Sequence, residues 1–258
     1  RHPSTAKFIA TKLARRFVAD NPSPALVERI AAVFTKTDGD IRETLRALFA
    51  APEFNSPEAY RAKIKTPFEL AVSSIRTLGG DTNGSPAIHQ WIARMGEPLY
   101  GYQAPTGYPD VAENWVNTGA LLERLNFSLA LASNRIPGTR VNLQKFLMDA
   151  EAGDTVDKAR VMERFLSVIV QGDISTQTKQ TLLKQLDAPI TVSNASDEAL
   201  MNKVDDDMDA MDALPRAGGG GSRRRQQQMA RVDLSTVQNP EVVKVVGLIL
   251  GSPEFQRQ

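Results

Sequence analysis

The chain has 258 residues, 41% of them hydrophobic and 24% charged, with a net charge of +1, which is the balance of an ordinary globular protein. That charge gives no global pull towards nucleic acid or an anionic membrane, and no apolar run approaches the roughly 18 residues that suggest a spanning helix. The lack of cysteine excludes disulfides and thiolate metal sites.

The first element is "HPSTAKFIATKLARRFV". Phe8, Ile9, Leu13, Phe17 and Val18 share one face at helical spacing, which predicts an amphipathic helix with that stripe buried and Ser4 as its cap. Lys7, Lys12, Arg15 and Arg16 take the wetter face. With no initiator Met, the start reads as a helix cut from a longer protein. On that expectation the missing part meets the basic face, and His2 lies at the edge.

Four helices follow with start and stop signals in agreement. In "NPSPALVERIAAVF", Ser23 caps and Pro24 takes the first position, where its missing N–H costs nothing. In "DGDIRETLRALFAAPEF", Asp40 caps and Pro52 ends the helix, with Ile41, Leu45, Leu48 and Phe49 expected inside. "TPFELAVSSIRTLGG" carries a Thr66–Glu69 capping box, and "SPAIHQWIARMG" runs from Ser85 to Gly96. Then comes "EPLYGYQAPTGYPD", from Glu97 to Asp110, whose three Pro and two Gly argue against regular structure. Helices resume in "ENWVNTGALLERLNFSLALAS", "RVNLQKFLMDAEAG", "TVDKARVMERFLSVIVQG" and "STQTKQTLLKQLD".

No alternating stretch reads as a strand. The fold class is therefore all-α, a multi-helical array of paired helices with a long Pro/Tyr-rich loop. Residues 193–232 turn acidic, then glycine-only, then basic and Gln-rich, which predicts a disordered insert between a helical region (1–192) and a terminal segment (233–258). In that segment "NPEVVKVVGLILGSPEF" predicts a helix that packs back on the rest, with Asn239 as cap. Its ending echoes "LRALFAAPEF" earlier, and in both the Phe is expected to fold back on the final turn.

Little of this carries chemistry. The only histidines, His2 and His89, form no zincin pair, and His89 among Ile88, Trp91 and Ile92 reads as structural. Asp205, Asp207 and Asp209 begin like a calcium loop, but Ala210 stands where Gly is needed and Arg216 where Glu is needed. Neither a metal nor a cofactor is expected. Arg223–Arg225 lack the strand and Lys-Ser/Thr ending of a phosphate loop, and the adjacent acidic run offers them an internal partner, so nucleic acid is not expected either. The one concentrated region holds Tyr100, Tyr102, Tyr108, Asp110, Trp115, Asn117 and Arg124, in a chain only 6% aromatic. Rings beside Asp, Asn and Arg suit a stacking platform for a sugar or peptide; equally, a Pro-rich loop needs a small core of its own.

The ordered set "HPSTAKFIATKLARRFV", "TDGDIRETLRALFAAPEF", "KTPFELAVSSIRTLG", "MGEPLYGYQAPTGYPDVAENWVNTGALLERLNF" and "GLILGSPEF" resembles the DUF1800 family across nearly the whole chain outside the insert. The resemblance implies the C-terminal portion of a larger bacterial protein, exported to the periplasm or beyond and often encoded beside a sulfatase-like DUF1501 protein. It implies no established activity and no catalytic residue. The expected function is an exported binding or assembly module acting with a partner protein, a DUF1501-type protein among them, or with a polysaccharide. Tyr100, Tyr102, Trp115 and Arg124 are expected on one partly exposed surface. The alternatives are a hydrolytic enzyme, completed by the missing N-terminal region and drawing on His2, Asp110 or Glu113, and a purely structural domain.

Overall fold

The computed structural model describes residues 2–147, 158–187 and 239–258, and among them every long element is a helix. The order is α1 (Pro3–Phe17), α2 (Pro24–Lys36), α3 (Ile41–Phe49), α4 (Pro67–Thr77), α5 (Pro86–Arg94), α6 (Thr118–Ala132), α7 (Lys158–Ile169), α8 (Thr176–Asp187), α9 (Pro240–Leu250) and α10 (Pro253–Gln256). The chain is all-α, as its periodicity and breakers predict. Two strands escape that reading: β1 (Asp81–Thr82) pairs antiparallel with β2 (Thr139–Arg140). Two residues a side cannot show an alternation, yet the pair ties the α4–α5 turn to the segment after α6.

The insert 193–232 lies outside the described residues, and with it Asp205, Asp207, Asp209 and Arg223–Arg225. Of the helix expected over "RVNLQKFLMDAEAG", the described part is β2 and a single 3₁₀ turn, Gln144–Phe146.

Several caps form as read. Ser23 accepts from the Leu26 amide, Asp40 from Arg42 and Glu43, and Thr66 with Glu69 closes a capping box. Three differ. His2 caps α1 in place of Ser4, its Nδ1 accepting from the Ser4 amide at 3.2 Å, because the helix starts two residues earlier, at Pro3. Ser85 makes no cap bond and donates to the Pro137 carbonyl instead, at 2.5 Å. Asn239 sits in the left-handed region (φ 55°) with its side chain uninvolved in capping.

Apolar burial falls into two clusters. The smaller joins α1, α2 and α3 through Ala6, Ala10, Ala14, Val18, Leu26, Val27, Ile30 and Leu48. This corrects the expected stripe of α1. Val18 is buried and Leu13 packs partly against the cluster, but along the helix alanines four apart face inward in place of Phe8 and Phe17, because small side chains let two helix axes approach closely. Phe8 is 63% exposed, and Phe17 and Phe49 pack edge to face at the rim, 5.3 Å apart. The basic face is also met by this chain itself: Lys12 pairs with Asp110 (2.8 Å) and Arg16 with Glu69 (2.5 Å).

The larger cluster is centred on α9, whose Val242, Val243, Val245, Val246, Ile249 and Leu250 lie against α6, α7 and α8. Gly247 and Gly251, one turn apart, face Leu129 and Leu125 of α6. At Gly247 a Cβ would collide with the Leu129 side chain, so the glycine sets the interhelical distance. Gly247→Val is expected to cost about 2 kcal/mol through overpacking, read as a lower urea midpoint at unchanged slope. Gly119→Ala, which meets only ordinary contact, is expected to leave the midpoint near its starting value.

Candidate binding surface

The Pro/Tyr-rich loop is fastened at both ends. At its start Glu97 is buried, and its carboxylate accepts from the Phe68 amide (2.8 Å) in the first turn of α4, where the helix dipole favours negative charge. At its far end three groups converge on residues 110–112. Lys12 Nζ donates to the Asp110 carboxylate (2.8 Å), Lys63 Nζ donates to the Asp110 carbonyl (2.6 Å), and the Ala112 amide donates to Asp20 (2.7 Å). Lys63, only 7% exposed, also forms an ion pair with Asp20 through the other carboxylate oxygen.

Between these anchors the rings form a ladder from core to solvent. Trp115 is buried, and its Nε1 donates back to the Pro109 carbonyl at 3.1 Å. The Tyr108 ring lies 5.7 Å from it, and Tyr102 lies 4.5 Å beyond at a tilt of 43°. Tyr108 donates its hydroxyl to the Pro98 carbonyl at 2.5 Å, and burial, then the nearby charge of Glu97, raises its pKa. Tyr102 is 43% exposed. Tyr100 projects fully into solvent from a left-handed backbone (φ 60°), where an L-residue other than Gly costs about 1–2 kcal/mol.

The polar residues grouped with these rings are otherwise engaged. Asn117 caps α6 by accepting from the Ala120 amide (2.8 Å). Arg124 is fully buried and donates to the Lys65 carbonyl (3.0 Å) and to Gln256 Oε1 (3.3 Å). Burial lowers its pKa to about 10, opposed by the charge of Glu97, and it remains a cation at neutral pH. Tyr100 and Tyr102 therefore face solvent, whereas Trp115 and Arg124 lie inside, and the four do not line one surface. His2 caps α1, Glu113 is exposed, and no hydrogen bond joins either of them to Asp110. His89 Nε2 lies 3.1 Å from the Gly84 carbonyl.

What the sequence reading missed is apolar and close by in the chain. Val116, Leu121 and Leu122 are exposed at the entry to α6, although the rest of that helix is largely enclosed. Their apolar character reads as core, and only the structure places them outside. Lys63 and Asp20 were missed too, because an ion pair 43 residues apart leaves no local signal.

A family model described as "Protein of unknown function (DUF1800)" matches residues 1–257. Searches of curated proteins and of solved structures find no match. Among the described residues no group of three or more His, Asp or Glu could hold a metal ion, and no helix is long and apolar enough to cross a membrane.

Behind the loop, Lys65 donates to the Phe255 carbonyl (2.5 Å) with its ammonium 3.8 Å from the centre of that ring. Burial first, then the charge of Arg61, lowers its pKa to about 8, with Glu69 opposing. Between about pH 8 and the ordinary lysine value near 10.4 the unfolded chain holds a proton that the folded chain does not, so this group makes stability rise with pH across that window. Lys65→Met is expected to flatten the rise, measured as the difference between variant and parent denaturation midpoints from pH 7.5 to 10.

Proposed function

The chain belongs to the DUF1800 family, and on that premise we propose that it is a binding or assembly module that holds a partner protein at the exposed end of its aromatic ladder. The observation that carries this reading is Tyr100, a fully exposed aromatic in a strained left-handed conformation beside the half-exposed Tyr102. Strain and exposed apolar area both cost free energy in the isolated chain, and contact with a partner recovers the second. Tyrosines are also favoured anchors at interfaces, since they bring area with little rotamer entropy.

A protein fits better than a sugar. A sugar platform needs polar groups around its rings, and here Asp110, Asn117 and Arg124 are engaged by Lys12, the Ala120 amide and Gln256. The large apolar side chains exposed in this part of the chain are Tyr100, Tyr102, Val116, Leu121 and Leu122, with Gln103, Thr106, Glu113 and Asn114 exposed among them, which suits an apolar segment of a partner with a polar rim. On this reading the module is exported and the partner is a DUF1501-type protein; the family resemblance is the support for both. Calorimetry with a purified DUF1501-type protein encoded beside this chain is expected to show binding. Tyr100→Ser and Tyr102→Ser are each expected to weaken it about thirtyfold, the roughly 2 kcal/mol of an interface hot spot, with helicity unchanged. Retention on insoluble polysaccharide without that protein points to the polymer instead, and loss of neither interaction in either variant overturns the reading.

A further inference from the structure

We infer that residues 97–116 act as a strap whose aromatic ladder is set by the seating of α1–α3, through a junction at Lys63. Its consequence for partner binding rests on the reading above; the coupling itself does not. The two apolar clusters are separate, and polar contacts cross between the units that hold them. Lys63 stands where three parts of the chain meet. Its backbone belongs to the larger unit, with its amide donating to the Gln258 carbonyl (3.1 Å) and its carbonyl accepting from the Gln258 amide (2.8 Å). Its ammonium pairs with Asp20, in the connection between α1 and α2, and donates to the Asp110 carbonyl of the strap.

Two further ties run to the same place, while Arg16 joins α1 to Glu69 of α4 separately. Asp20 receives the Ala112 amide, and its own carbonyl accepts from Arg15 Nε (3.0 Å), which fixes it to α1. Lys12, also on α1, holds the Asp110 carboxylate. These contacts end three residues before Trp115, whose Nε1 reaches back to Pro109 and whose ring supports Tyr108 and so Tyr102. Unseating α1 takes Lys12 from the Asp110 carboxylate and Asp20 from the Ala112 amide together, leaving the strap's end held only by Lys63 on the Asp110 carbonyl. The converse holds by linkage: a ligand gripping Tyr102 strengthens the docking of α1–α3.

Hydrogen–deuterium exchange on the whole chain, with no ligand, tests the coupling in three variants. Asp20→Asn and Lys63→Met are expected to speed exchange of the Ala112 amide and its neighbours in 109–116 about tenfold or more, leaving α6 and α9 as in the parent. Lys12→Met removes only an outer, half-exposed tie, so it folds normally and gives a smaller acceleration confined to the strap. Unchanged exchange at 109–116 in Asp20→Asn and Lys12→Met overturns the inference, as does an equal acceleration throughout α6 and α9. The two readings separate cleanly. Tyr102-dependent partner binding with an unresponsive strap sinks only the coupling, and a responsive strap in a chain that binds no partner sinks only the proposed function.

Discussion

The Lys63 ammonium is a buried tie between two bodies whose apolar clusters are separate, where the Arg16–Glu69 pair between them is more exposed. Bringing a lysine to 7% exposure is unfavourable unless its donors are used, and here they go to the Asp20 carboxylate and the Asp110 carbonyl. Loss of one partner from such a pair costs about 3–5 kcal/mol, because the remaining charge stays buried. Apolar surfaces would adhere in many registers. A buried charge with two fixed acceptors accepts few, so the junction specifies where the α1–α3 unit sits as well as that it sits.

The next residues along the chain extend the same logic through backbone pairing and a second buried cation. Ile64 bridges to Arg257 in antiparallel fashion, and the Lys65 amide donates to the Gln256 carbonyl at 2.8 Å. Arg124 of α6 then bonds the Lys65 carbonyl and the Gln256 side chain, so a fully buried guanidinium reads both sides of this short ladder. The two Pro-Glu-Phe endings serve different purposes in this frame. Phe54 lies at the rim 5.1 Å from Phe49, with Glu53 paired to Arg29 at 2.8 Å. Phe255 is buried beneath Lys65, while Glu254 accepts from Thr178 (2.8 Å) at the start of α8.

How much of this is legible in the sequence depends on range. Caps and breakers act within four residues, so Ser23, Asp40 and the Thr66–Glu69 box announce themselves. The buried face of α1 does not, since a stripe of alanines has no apolar prominence and its meaning lies in how near α2 comes. The aromatic excess around residue 100 is visible as composition. Its division into buried Trp115 and exposed Tyr100 is not, because that depends on where the loop is tied, and the ties are Lys12, Asp20 and Lys63. Arg124 shows the same limit: among leucines on α6 it reads as a surface cation, and only Gln256, 132 residues away, gives it a place inside.

The position of α9 also bears on the order in which the protein comes together. The α1–α3 cluster is built from neighbours in sequence and can close early at little loop entropy. The larger cluster cannot, since the helix at its centre, residues 240–250, is translated long after α6 at residues 118–132. Until then the faces of α6 and α7 that α9 covers are open to other chains, and such non-local closure is slow. The glycines that let α9 sit so near α6 thus complete a core that synthesis leaves unfinished for more than a hundred residues.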